Sequence, residues 1–318
     1  MNNFADNLSL KILNTSNIIV GIDPDFSLMP TIMRPNTLDT SDVSCALENF
    51  GNSVIDAIWD LVPAVKFQSA YYERFGFQGI KSLSRSIAYA KLRGLQVILD
   101  AKRGDIGATS LAYADAYLSG KTFVDGIGEI SSDVEVDCMT INPFLGIDSI
   151  QPFVEVANRL GKGLFILVKT SNPGSILLQD TFYRNEYSVS EILADLVNKL
   201  GQDSIGSFGY SCIGAVVGAT FPSEALKLRK IMPHAVHLVP GVGTQGGTIE
   251  TALANIDEKG LGAVISCSRS IIYPSFAEVE TKGYINAVRD ITGRYVKELS
   301  AAKLRHKQSF VVSDSNIL

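Results

Sequence analysis

Apolar, β-rich runs recur along the chain at residues 18–22, 62–67, 95–99, 138–141, 164–168, 213–217, 236–239 and 263–265. Most are followed by a stretch of helical periodicity, as at 80–93, 192–200, 223–231 and 249–256. Strand then helix, repeated, implies a parallel sheet with both faces covered, and eight such units would close a (β/α)8 TIM barrel. An open doubly wound sheet is the main competitor.

Polar or Gly-rich insertions break the alternation at 24–41, 119–135 and 171–188. None carries the low-complexity composition of a linker, so a single α/β domain is expected over residues 1–302. Residues 303–318 lose periodicity and read as a flexible carboxy-terminal tail. A length of 318 residues fits one barrel or two smaller domains.

Charge excludes one class of partner. Lys and Arg number 28 against 33 Asp and Glu, a net charge of −5, with none of the basic excess that nucleic-acid binding needs. Cys45, Cys138, Cys212 and Cys267 are scattered, with neither metal-ligand spacing nor a disulfide framework, so reduced structural thiols are expected. No secretory pattern opens the chain and no apolar stretch reaches a membrane span, which reads as a cytoplasmic protein without membrane contact.

The richest chemistry lies where the third run stops. Residues 97–106 read Val-Ile-Leu-Asp-Ala-Lys-Arg-Gly-Asp-Ile. In extended backbone residues i and i+2 share a face, so Asp100 and Lys102 should emerge together, and a turn could bring Asp105 back toward the ammonium. A lysine between two carboxylates stays protonated and suits the role of a proton donor. Otherwise the cluster would be an ordinary surface ion network. Lys66 lies inside the second apolar run, where a lysine is costly to bury unpaired, so a neighbouring strand end should supply a carboxylate. Asp100 is the natural candidate.

Asp23 closes the first run, in a position that also fits a turn-initiating Asp before Pro24. The seventh run leads into Pro-Gly-Val-Gly-Thr-Gln-Gly-Gly (240–247) and the eighth into Ser-Cys-Ser-Arg-Ser (266–270). Glycines let backbone amides approach an anion, a following helix terminus adds partial positive charge, and Arg269 can grip phosphate bidentately. Together they predict a phosphate site after strands seven and eight. Lys-Thr-Ser-Asn-Pro-Gly (169–174) fits either a turn or substrate recognition. His234, His237 and His306 are poor candidates for chemistry, and no Ser/His/Asp set or metal-ligand spacing is present.

Asp-Ala-Lys-Arg-Gly-Asp-Ile-Gly-Ala-Thr, with Lys66 upstream and the Gly-rich and Ser-Arg-Ser segments downstream, resembles the orotidine 5′-phosphate decarboxylase family over residues 18–273. The longer bacterial-type class (type 2) fits better, because the shorter class usually has Pro where Gly107 stands and other residues at Arg103-Gly104. The resemblance implies a (β/α)8 barrel that removes CO2 from orotidine 5′-monophosphate to give uridine 5′-monophosphate, with no metal and no cofactor. It makes Lys66, Asp100, Lys102 and Asp105 an alternating charged tetrad, with Asp105 projecting into the partner's site of a homodimer with shared active sites. It further assigns Asp23 and Lys66 to the ribose hydroxyls, Thr109 to the neighbouring subunit's site, Ser171 to the pyrimidine, and Gln245 and Arg269 to the phosphate.

Elementary chemistry agrees with that assignment. Loss of CO2 leaves electron density at C6 of the pyrimidine without an ordinary enolate to receive it, so the protein must stabilise it electrostatically. Lys102 is the fixed cation for this and can then protonate C6. Phosphate binding, remote from that carbon, can close loops and order the tetrad. The nearest rival is a Mg²⁺-dependent sugar-phosphate decarboxylase or aldolase of the same barrel superfamily, in which an acidic metal ligand replaces Lys66. A non-catalytic phosphate sensor would need the phosphate loop alone.

Overall fold

The computed structural model describes residues 3–37, 39–184, 186–243, 245–274 and 280–315. Helix α1 (Phe4–Asn14) opens the chain and is followed by β1 (Ile18–Ile22), α2 (Thr40–Ile58) and β2 (Ala64–Gln68). Next come α3 (Gly76–Leu92), β3 (Gln96–Arg103), α4 (Gly107–Ala114) and β4 (Cys138–Ile141). The second half runs α5 (Ile147–Leu160), β5 (Gly163–Lys169), α6 (Val189–Leu200), β6 (Ser211–Val217), α7 (Pro222–Ile231), β7 (Ala235–Val239), β8 (Ala263–Cys267) and α8 (Thr281–Ser315). All eight strands pair in parallel in chain order, and β1 closes on β8 through Ile18↔Ile265 and Val20↔Cys267. The closed barrel, with an apolar run at each strand, excludes the open sheet.

Alternate residues of each strand bury on opposite sides, which is why the strands read as continuous apolar runs. Ile19, Ala64, Ile98, Phe165, Val216 and Leu238 fill the barrel interior, while Val20, Val65, Val97, Ile166 and Val239 pack outward against the helices. Helix α1 completes the interior from the amino-terminal end of the strands. Its Phe4, Ala5, Leu8 and Ile12 join the inner cluster, and Phe4 meets Phe165 edge-on at 6.1 Å. Gly163 permits this approach, since a Cβ there would stand 2.3 Å from Phe4 Cδ1.

The insertions hold structure of their own. Residues 119–135 carry an antiparallel hairpin, Lys121–Val124 against Gly128–Ser131, and residues 171–188 carry a short helical stretch and a two-residue strand pair. Within the stretch expected as tail, α8 continues to Ser315, and residues 316–318 lie outside the described residues. Lys303, which opens the stretch read as tail, reaches the base of the barrel, where its ammonium donates to Asn17 Oδ1 at 2.5 Å and to the Gly260 carbonyl at 2.9 Å. The four cysteines are free thiols, and burial pushes Cys267 up to about 12. Among the described residues no helix is long and apolar enough to cross a membrane.

Candidate active site

The carboxy-terminal strand ends open into a cavity of about 950 Å³. Asp23, Lys66, Asp100, Lys102, Ser171, Gln245 and Arg269 all line it, so seven residues singled out from the sequence converge there. Asp105 and Thr109 do not line it.

Asp100 is the hub. Its Oδ2 accepts from Lys66 Nζ at 3.0 Å and Gln68 Nε2 at 3.2 Å, and its Oδ1 accepts from Lys102 Nζ at 2.5 Å and Thr140 Oγ1 at 2.9 Å. Four donors match the roughly four lone-pair sites of a carboxylate, so its charge is fully engaged. Burial pushes the Asp100 carboxyl up, but the Lys66 and Lys102 ammoniums outweigh it and hold it well below the usual carboxylate range. Burial likewise pulls Lys66 down, and the Asp100 and Asp23 carboxylates more than offset that. Lys66 is therefore a buried cation, paired as expected, with Asp23 Oδ1 at 3.9 Å as its second anion. The Lys102 side chain remains 43% exposed and faces the open cavity.

A depressed carboxyl contributes stability above its ordinary value, 3.8 here, and loses it as pH falls from there toward the folded value. Asp100→Asn leaves Lys66 with only the more distant Asp23. Removing one member of a buried pair costs about 3–5 kcal/mol, so the variant should be less stable by about 3 kcal/mol in urea unfolding at pH 7. The gap to wild type should narrow as pH is lowered below 3.8. A gap under about 1 kcal/mol, or one independent of pH, would show that the pair carries no stability.

Asp100 and Lys102 do reach the same side, but not by the plain extended backbone expected. The β3–β4 ladder runs Ile98↔Cys138 and Leu99↔Met139, breaks, and resumes at Arg103↔Ile141. Asp100, Ala101 and Lys102 thus stand opposite Thr140 alone, a bulge of the kind that re-aims side chains beside active sites. Lys102 takes φ +49°, a left-handed conformation costing a non-glycine residue about 1–2 kcal/mol.

The expected return of Asp105 to the ammonium does not occur within the chain. Its Oδ1 accepts the Ile106 N–H at 2.8 Å, and it forms no ion pair with Lys102 among the described residues. The cause is local: Gly107 opens α4 directly after Ile106, carrying Asp105 and Thr109 away from the cavity.

Elsewhere in the cavity lining, Arg269 Nη2 donates to Tyr71 Oη at 3.4 Å, and the Ser171 hydroxyl donates to Gln245 Oε1. Gly241, at φ +100°, keeps the loop clear, since a Cβ there would lie 2.9 Å from Ser171 Cβ. Thr244 of the Gly-rich segment lies outside the described residues. The helix expected at 249–256 is one turn, Ile249–Ala252, followed by a 3-10 turn, and its Thr251 N–H is taken by the Thr248 hydroxyl. Arg269 supplies a cationic side chain to this part of the cavity lining. His234 and His237 bond to Gly209 and Asn255 and stay outside the cavity.

Sequence reasoning missed Gln68, Tyr71 and Thr140. A polar residue buried within the apolar Cys-Met-Thr-Ile strand was the available signal for Thr140.

Residues 16–281 match the model of the orotidine 5′-phosphate decarboxylase / HUMPS family. The orotidine 5′-phosphate decarboxylase of Rhodopirellula baltica is 42% identical over 276 residues, 86% of this chain and 89% of that protein. That of Caldicellulosiruptor bescii is 39% identical over 279 residues, 86% and 90% of the two chains. The solved structure of Leishmania donovani OMP decarboxylase superposes with a TM-score of 0.72 at 25% identity, covering 95% of this chain and 99% of that one. With the family model spanning most of the chain and relatives of similar length agreeing, this protein belongs to the orotidine 5′-phosphate decarboxylase family.

Proposed function

We propose that the protein decarboxylates orotidine 5′-monophosphate to uridine 5′-monophosphate, a step of pyrimidine biosynthesis, with Lys102 as proton donor. The observation that carries this is the Lys66–Asp100–Lys102 array lining the same cavity as Arg269 and Gln245. Arg269 and Gln245 hold the phosphate, and Ser171, bonded to Gln245, reads the pyrimidine. Asp23 Oδ1 is buried without a hydrogen-bond donor, which suits it and its neighbour Lys66 to the ribose hydroxyls.

As CO2 departs, negative charge grows at C6, and an ammonium already fixed by Asp100 stabilises it without reorganisation. The same ammonium then delivers its proton to C6, leaving a neutral amine beside the product. Asp100, with both oxygens engaged, acts by holding Lys66 and Lys102. No metal or cofactor enters this scheme: Lys66 stands between Asp23 and Asp100, neutralising the carboxylates that a divalent cation would need.

The active unit is a homodimer in which Asp105 and Thr109 serve the partner's site. Supporting this, both stand outside their own cavity, beside exposed Ile106, Leu111, Phe144, Leu145 and Ile147. Such an apolar cluster at a cavity mouth fits a protein interface. The buried free thiols Cys138, Cys212 and Cys267 suit a reducing, cytoplasmic compartment.

Purified protein in excess EDTA should consume orotidine 5′-monophosphate at its full rate, followed by loss of orotidylate absorbance. No consumption, or consumption only after Mg²⁺ is added, would favour the metal-dependent sugar-phosphate enzymes instead.

A further inference from the structure

We propose that Thr140 is a positioning residue for the decarboxylation, its hydroxyl locking the β3 bulge so that the Lys102 ammonium is held over the reacting carbon. This rests on the decarboxylase function proposed above. Thr140 is fully buried on β4 and is the single residue opposite Asp100, Ala101 and Lys102. A bulge removes ladder hydrogen bonds, and here the Thr140 side chain replaces them. Its Oγ1 accepts the Lys102 backbone N–H at 2.9 Å and donates its only proton to Asp100 Oδ1 at 2.9 Å. The hydroxyl thus ties the main chain of the proton donor to the carboxylate that grips the donor's ammonium.

The connection matters because Lys102 is one of only two non-glycine residues at positive φ among the described residues. Backbone held in that region persists only where its surroundings over-determine it. Without the Thr140 hydroxyl, the Lys102 N–H loses its acceptor and Asp100 Oδ1 loses one of two donors. Lys102 is then free to relax toward ordinary backbone, which swings its side chain away from the cavity. Lys66 and Gln68 bind the other carboxylate oxygen and do not touch the Lys102 main chain, so they cannot substitute.

Thr140→Val keeps the shape and removes the hydroxyl, whereas Thr140→Ser keeps the hydroxyl and removes the methyl. A misplacement near 1 Å costs on the order of 10²-fold in rate. Thr140→Val should therefore lose roughly 10- to 100-fold in kcat with KM within about threefold of wild type, and Thr140→Ser should stay within about threefold in both. Backbone amide exchange at Lys102 should quicken at least about tenfold in Thr140→Val and not in Thr140→Ser. If Thr140→Val does not fold, Thr140→Ala is held to the same limits.

A kcat loss under tenfold in the valine variant, a serine variant as impaired as the valine one, or unchanged exchange at Lys102 would each overturn the proposal. The exchange measurement needs no turnover. Wild-type protein inactive on orotidine 5′-monophosphate would refute the function while leaving the hydroxyl bridge decided by exchange alone.

Discussion

Replacing Lys102 with alanine should lower kcat by at least about 10⁴-fold while leaving uridine 5′-monophosphate binding within about tenfold of wild type. General acids contribute on the order of 10²–10⁴, and loss of a preorganised charge adds roughly 10²–10³ more. In the proposed mechanism one ammonium does both jobs, bonded to Asp100 at 2.5 Å and open to the cavity. Binding of product should survive because the contacts proposed for it lie elsewhere: Asp23 and Lys66 for ribose, Ser171 for the base, Gln245 and Arg269 for phosphate. Single-turnover kinetics with product titration separates the two effects. A variant retaining more than a tenth of wild-type kcat would remove Lys102 from the chemistry.

The second large effect is a recovery. Lys102→Ala and Asp105→Ala homodimers should each be nearly inactive, yet exchanging their subunits should restore activity. If Asp105 serves the partner's site and Lys102 its own, each mixed dimer has one site with both lesions and one with neither. Random exchange makes about half the dimers mixed, so activity per subunit should approach about a quarter of wild type. Exchange would be driven in mild denaturant and the dimer confirmed by size afterwards. Activity no higher than that of the separate variants, after proven exchange, would place Asp105's function within its own chain.

The barrel was legible in the sequence because its strands are buried on both faces, leaving eight apolar runs with few polar interruptions. The interruptions that did occur, Lys66 above all, were themselves informative: a lysine among Val65 and Phe67 demands an anion, and Asp100 supplies it. Helix α1 was legible in principle, since Phe4, Leu8 and Ile12 recur at a helical spacing, but no strand precedes it and the repeating unit gives no place for it. The bulge was not legible. Leu-Asp-Ala-Lys reads identically in a regular or a bulged strand, and the difference lies in register against β4, which local sequence does not carry. Asp105 shows the same limit: spacing placed it near Lys102, while the immediate start of α4 turned it outward.

Helix α1 also dictates traffic. With Phe4, Leu8 and Ile12 wedged into the amino-terminal end and apolar side chains stacked through the interior, the barrel is a vessel with a sealed floor. Nucleotide and carbon dioxide must then pass the same rim, where Leu178 and Gln179 of the 171–188 insertion stand. Carbon dioxide therefore has no rear exit, and both products leave by the mouth through which the substrate came.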